Sequence, residues 1–227
     1  IKQKADFHAS FKESPLGIKV NLLALDQELT FELRTISKYL ASNIICSMAI
    51  LSLEGFNNSL LEKYAQDITL PSGRLEKIVK DNLTAYVDYA HTPEALRRSL
   101  EAIKRIHNEP LWCVFGCGGD RDKEKRPLMG AVAQEYSDHI VITNDNPRTE
   151  GEMQIINDIL SGMDAQGQFI IEPDREKAIH FAVAEIKNNL DGGVMLIAGK
   201  GHETYQEIDG NLFEFNDKEI VQSSMGL

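Results

Sequence analysis

Residues 76–227 are predicted to form an α/β unit on a doubly wound, mostly parallel sheet with a terminal hairpin, preceded by an incomplete α/β fragment over residues 1–75. Three observations carry this prediction. Strand-like and helix-like segments alternate from about Asp81 onward, the strand segments are continuous apolar runs, and Asp209-Gly210 stands between two alternating runs near the end. Continuous apolar strands belong to sheets covered by helices on both faces, and an Asp-Gly pair between alternating runs marks a tight hairpin.

Taken in order, residues 5–34 alternate apolar and polar positions in short strands. ISKYLASNIICSMAILSLEGF then reads as a helix rich in apolar residues, and a second helical stretch runs to about Gln66. PSGRLEKIV (Pro71–Val79), with its proline and glycine, is the expected hinge. LTAYVDYA is β-branched and aromatic, as a strand requires. Thr92-Pro93-Glu94 opens a helix to about Ile106, with proline near the first turn, where its missing N–H costs nothing. LWCVFGC is a buried strand, followed by a glycine-rich turn and a helix from about Lys125 to Tyr136. HIVIT gives a strand, GEMQIINDILSGM a helix, QFIIEP a strand, REKAIHFAVAEIKNNL a helix and VMLIAG a strand, and TYQEIDGNLFEF is the hairpin.

Composition narrows the function classes. A chain of 227 residues has room for one substantial domain and part of another. No apolar run approaches the roughly 18 residues of a membrane span, so no membrane insertion is expected. A formal net charge of -11 argues against nucleic-acid binding, which basic surfaces drive, so an anionic ligand has to be met by local positive groups. Cys46, Cys113 and Cys117 are too few and too apolar in setting for a disulfide framework and read as core thiols of a reducing, cytoplasmic setting. Acidic residues show no metal-ligand spacing. His8, His107, His139 and His180 sit in ordinary contexts and receive no role. Without an initiating methionine before Ile1 or a signal peptide, the chain is expected to be part of something longer.

In open parallel sheets, ligands bind beyond the carboxyl ends of the strands, where loops meet helix N-termini. Four clusters fall at such ends. DYAHTP sets Asp88 and His91 beside a helix start, where they could hold a ribose hydroxyl and a phosphate, although one histidine at a strand end is more often structural. GCGGDRDKEKRP combines glycines that let backbone approach a ligand with concentrated charge, and it lacks the spacing of a P-loop. TNDNPRTE delivers Asp145, Asn146 and Arg148 around Pro147. Arg148 can pair bidentately with a carboxylate, Asp145 can accept from an ammonium and Asn146 can do either, a set that matches a free amino acid as well as a simple turn. AGKGHETYQ places a lysine between two glycines, followed by His202 and Glu203, and is hard to explain by packing alone.

In this order and spacing the motifs resemble the Mur ligases, in the branch that handles meso-diaminopimelate; DNPR and GKGHE are specific to that branch, while DYAHTP is shared with folylpolyglutamate synthases. The resemblance implies that residues 1–75 are the end of a central ATP-binding domain and residues 76–227 a complete, Rossmann-like C-terminal domain that binds the amino acid. It implies that Arg121, Asp145, Asn146, Arg148, Gly199 and Glu203 line the meso-diaminopimelate pocket. It further implies that Arg74 reaches ATP phosphates, that Asp88 lies near the ribose with His91 beside it, and that Asn43 contacts adenine. The implied reaction is acyl activation: ATP phosphorylates the D-glutamyl γ-carboxylate of UDP-MurNAc-L-Ala-D-Glu, and an amine of meso-diaminopimelate displaces the phosphate. In the family this needs a phosphate loop with Mg2+ ligands, a carbamylated lysine and an N-terminal UDP-binding domain. No G-T-x-G-K-[ST] occurs in this chain, so Mg2+ ligands are expected in missing N-terminal and central-domain segments, and the chain alone is not expected to turn over substrate. The family pattern G-x-F-N-x-x-N appears as SKYLASN, with Ser37 and Leu40 departing from it. Other readings are a non-catalytic amino-acid-binding module, or a ligase for lysine or murein tripeptide. Lysine lacks the distal carboxylate and would leave an arginine unpaired.

Overall fold

The computed structural model describes residues 6–14, 17–25, 27–164 and 167–227; Ile1 to Ala5, where the reading of the first fragment begins, lie outside them. The chain divides between Leu70 and Pro71 into two compact units.

In the first unit, β1 (Phe7–Ser14), β2 (Gly17–Ala24) and β3 (Gln27–Leu33) form an antiparallel meander. Its alternation does the work that the sequence pattern predicts: Ile18, Val20, Leu22, Leu29, Phe31 and Leu33 turn to one face and are buried. That face packs with α1 (Lys38–Leu53) and α2 (Asn58–Ala65) through Ala41, Ile45, Met48 and Ala65. Ser37 caps α1 by accepting from the Leu40 N–H. The opposite side of α1 carries Tyr39, Ile50 and Leu53 at 51%, 61% and 64% exposure, so this helix is apolar beyond the stripe it buries.

The second unit holds a six-stranded sheet in the order β4-β5-β9-β6-β7-β8. Edge strand β4 (Glu76–Lys80) is antiparallel to β5 (Leu83–Asp88), and Asp81 takes a positive φ in the turn between them. The stretch read as a hinge is therefore partly sheet, because Ile78 buries into the core while Asp81-Asn82 closes a hairpin. The remaining strands are parallel: β6 (Leu111–Phe115), β7 (His139–Ile142), β8 (Phe169–Ile171) and β9 (Gly193–Ala198). They are linked by α3 (Pro93–Lys104), α4 (Lys125–Tyr136), α5 (Glu152–Leu160) and α6 (Arg175–Asn188).

One sheet face, with Val87, Val114, Val141, Met195 and Ile197, packs on Ile179, Ala182, Val183 and Ile186 of α6 and on Val221 and Met225 of α7 (Asp217–Met225). Truncating one such aliphatic side chain to alanine typically costs about 2–5 kcal/mol. Helix α7 lies outside the sequence reading, although Asn216 caps it and left-handed Gly226 ends it. Before α7, β10 (Tyr205–Ile208) and β11 (Asn211–Glu214) form the hairpin about Asp209-Gly210. Towards the amino ends of the strands, Trp112 stacks on His139 at 4.3 Å and meets Phe181 edge-on. Among the described residues no helix is long and apolar enough to cross a membrane.

Candidate functional site

The carboxyl ends of β5, β9, β6 and β7 lie side by side, so the four charged loops predicted at strand ends gather along one edge of the sheet. Two fully buried arginines brace that edge. Arg175, at the start of α6, gives Nε and Nη2 to the Asp217 carboxylate at 2.8 Å each. Its Nη1 and Nη2 also reach the carbonyls of Asn144, after β7, and Ala198, at the end of β9. Arg126 of α4 binds Glu150 with both terminal nitrogens, Asp158 at 2.8 Å and the Gly118 carbonyl at 3.2 Å, tying the glycine-rich loop to the segment after DNPR. Arg126 and then Lys123 hold the Glu150 carboxyl well below the usual carboxylate range.

On this frame sits a buried charged cluster. Lys200 has no exposed side-chain surface; its Nζ gives a 2.9 Å hydrogen bond to Asn146 Oδ1 and lies 3.3 Å from Glu203 Oε2 and 3.5 Å from Asp145 Oδ1. Asn146 Oδ1 also accepts from the Glu207 N–H, and its Nδ2 donates to Glu203 at 2.9 Å. Gly199 (φ +118) is where a Cβ would come within 3.0 Å of Asp145 Oδ2, so glycine there lets the carboxylate close in. Asp145 Oδ1 is buried without a hydrogen-bond partner.

Arg148 has a left-handed φ of 52°, held by backbone hydrogen bonds to Glu207 and Asp209 of the hairpin. Its Nε donates to Glu207 Oε2 at 2.9 Å and its Nη1 to the Gly119 carbonyl at 2.8 Å. An internal carboxylate thus already occupies Nε of the guanidinium expected to grip an external one, and Nη2 remains without a partner among the described residues. Arg121 stands nearby, since a Cβ on Gly118 would lie 3.0 Å from Arg148 Nη1 and 3.6 Å from Arg121 Cγ. Its guanidinium is exposed and bonds the Asp120 carbonyl. The structure therefore brings Arg121, Asp145, Asn146, Arg148, Gly199 and Glu203 into one neighbourhood, with Asn146 turned to internal bracing.

The β5 end differs from expectation at Asp88. Its carboxylate is buried, accepting from the Leu75 N–H at 3.1 Å and Ser99 Oγ at 2.5 Å, so it holds the loop before β4 and helix α3 rather than facing outward to a ribose. Burial pushes its pKa up, against the pull of Ser99 and Leu75. Arg74, half-buried, lies over the Tyr89 ring at 4.8 Å; Tyr89 also meets the rings of His91 at 4.7 Å and His202 at 5.2 Å. His91 donates Nδ1–H to the Tyr89 carbonyl and accepts on its own carbonyl from Lys125. Gly73 (φ +68) presses on the Gly201-His202 peptide, where a Cβ would come within 2.2 Å, and Glu76 ties the Gly73 N–H, Ser72 and Lys218 together. A cleft of about 320 Å³ opens beside this junction, lined by Ser72, His202, Thr204 and Lys218 among others. Asn43 lies on the exposed side of α1 in the first unit. Among the described residues no three His, Cys, Asp or Glu side chains gather to hold a metal ion.

Sequence reasoning missed Arg175, Asp217 and Glu207 as parts of this edge, counted Arg126 only in the charge of the glycine-rich turn, and gave Lys200 no role of its own. The carboxylate partners of Arg126, Arg175 and Arg148 lie 24 to 59 residues away in the chain, with no local pattern to announce them.

Comparison with known proteins adds a family. A family profile described as "Mur ligase, glutamate ligase domain" matches residues 73–201. A protein of Prochlorococcus marinus named UDP-N-acetylmuramoyl-L-alanyl-D-glutamate--2,6-diaminopimelate ligase is 42% identical over 194 residues, covering 85% of this chain and 38% of its own length. The protein of that name in Aquifex aeolicus is 38% identical, covering 97% of this chain and 44% of its own. A solved structure of a ligase of that name superposes with a TM-score of 0.67 at 35% identity, covering 99% of this chain and 46% of the other. Mycobacterium tuberculosis folylpolyglutamate synthase shares the fold at a TM-score of 0.71 and 18% identity, covering 86% of this chain and 46% of its own. The chain spans less than half the length of the curated relatives it matches.

Proposed function

Because the chain belongs to the Mur ligase family, we propose that it is the amino-acid-binding part of an ATP-dependent ligase joining meso-diaminopimelate to UDP-MurNAc-L-Ala-D-Glu. Residues 71–227 serve as the C-terminal domain and residues 1–70 as the end of the central domain. One observation carries the reading: unspent charge of both signs meets at one edge of the sheet. Asp145 and Glu203 share the single ammonium of Lys200, an excess of one negative charge. Among the described residues Arg121 has no acidic partner, and Arg148 keeps its Nη2 group. A zwitterionic amino-acid end supplies the ammonium and the carboxylate that complete this set. The names of the relatives support meso-diaminopimelate, whose two zwitterionic ends let one be gripped while the amine of the other reacts.

In this reading ATP transfers its γ-phosphoryl group to the D-glutamyl γ-carboxylate, the free amine attacks the acyl carbon, and phosphate leaves as the amide forms. This chain orients the amine by holding the far end of its molecule. Arg74, which lies over the Tyr89 ring and acts electrostatically on the Asp88 carboxylate, offers a cation for phosphate, with His91 at the neighbouring helix start.

Calorimetric titration of the chain with meso-diaminopimelate and with 1,5-diaminopentane tests the proposal. The expected result is binding of meso-diaminopimelate, with the diamine weaker by about tenfold or more, because it has no carboxylate and leaves the guanidinium groups unpaired. Equal affinity for the two, or binding of neither, overturns it.

A further inference from the structure

We infer that Lys200 is the positioning residue of the amino-acid pocket, a fixed internal counter-ion that aligns Asp145, Asn146 and Glu203 and leaves one carboxylate charge for the ligand's ammonium. The assignment of the ligand rests on the proposed function; the alignment rests on geometry alone. Nζ of Lys200 sits among acceptors from two different strand ends, Asp145 and Asn146 after β7 and Glu203 after β9. Lys200 is fully buried with the Tyr205 ring 5.7 Å away, so solvent cannot take the ammonium's place. Asn146 transmits the order: because Lys200 and the Glu207 N–H both donate to Oδ1, the amide is fixed in one orientation, and only then does Nδ2 meet Glu203.

The charges facing this point from neighbouring elements are already matched. Arg175 is paired with Asp217 and Arg148 with Glu207, so neither takes over the role of Lys200. Asp145 Oδ1, buried without a hydrogen bond, faces Lys200 Nζ at 3.5 Å, and the partly exposed Glu203 carboxylate is what an arriving ammonium meets. Lys200 touches no ligand in this arrangement; it acts through the groups that do.

Replacing Lys200 with alanine and supplying the lost group from solution separates charge from packing. In K200A, meso-diaminopimelate affinity is expected to fall by about tenfold or more, to recover with n-propylammonium, and not to recover with 1-propanol, which fills the same space without charge. The Asn146 side-chain amide resonances, read by NMR without diaminopimelate, are expected to shift in K200A and return with n-propylammonium. Equal rescue by both additives, rescue by neither, or amide resonances that ignore the substitution overturns the inference. Failure of meso-diaminopimelate to bind the unaltered chain overturns the proposed ligand and leaves the amide measurement to decide the role of Lys200. Should K200A not fold, K200M keeps the side chain as far as Cε and drops the charge, and the same amide shift is required of it.

Discussion

The arginines beneath the sheet edge and those at its mouth behave in opposite ways. Arg175 and Arg126 are fully buried, and each binds carboxylate and carbonyl groups of separate elements. Among the described residues Arg74 meets a ring face, with the Asp88 carboxylate in electrostatic reach, and Arg121 a backbone carbonyl. The buried pair fixes where the loops stand; the rim pair keeps charge available for a visitor. Among these four arginines, burial goes with architecture and unmatched charge with the proposed site.

The sharpest way to break that contrast is D217N, which strands the Arg175 guanidinium in the core. Removing one partner of such a pair is expected to cost about 3–5 kcal/mol in urea unfolding; a loss under about 1 kcal/mol sinks the architectural role. Next in size is the acid response of Glu150. Arg126 holds its folded pKa below the unfolded value of 4.5, so its contribution is complete above that value and is lost as pH falls beneath it. Wild-type melting temperature is expected to drop between about pH 5 and pH 3 more steeply than that of E150Q; parallel curves contradict the pairing. E76A removes the carboxylate that ties Gly73, Ser72 and Lys218, and hydrogen exchange of the Gly73 amide is expected to accelerate about tenfold. Burial opposes ionisation of Glu76, yet those donors together keep its pKa lowered. Smallest in stability is R121A, expected within about 0.5 kcal/mol of wild type while weakening meso-diaminopimelate binding about tenfold. A large stability loss there places Arg121 with the frame.

Local chemistry explains how much was legible in advance. Apolar runs such as HIVI and VMLIAG announced the parallel strands, Thr92-Pro93 announced α3, and Asp209-Gly210 announced the hairpin, because each signal is complete within a few residues. The same holds for DNPR and GKGHE, whose strand-end positions put Asp145 and Glu203 near each other. Strand β4 was obscured by the Pro71 and Gly73 that precede it, and α7 by following a hairpin rather than a strand. The claim of Glu207 on the Arg148 Nε was not legible, because Glu207 lies 59 residues away. Asp88 was judged by its motif, yet its direction is set by Leu75 and Ser99, which no pattern around DYAHTP reveals.

The chain has a single tryptophan, and Trp112 lies in the sheet of the second unit against His139 and Phe181. Indole fluorescence therefore watches residues 71–227 and is blind to residues 1–70. Overlaying emission with far-ultraviolet dichroism during denaturation tells whether the two units melt as one or in turn, with no label attached.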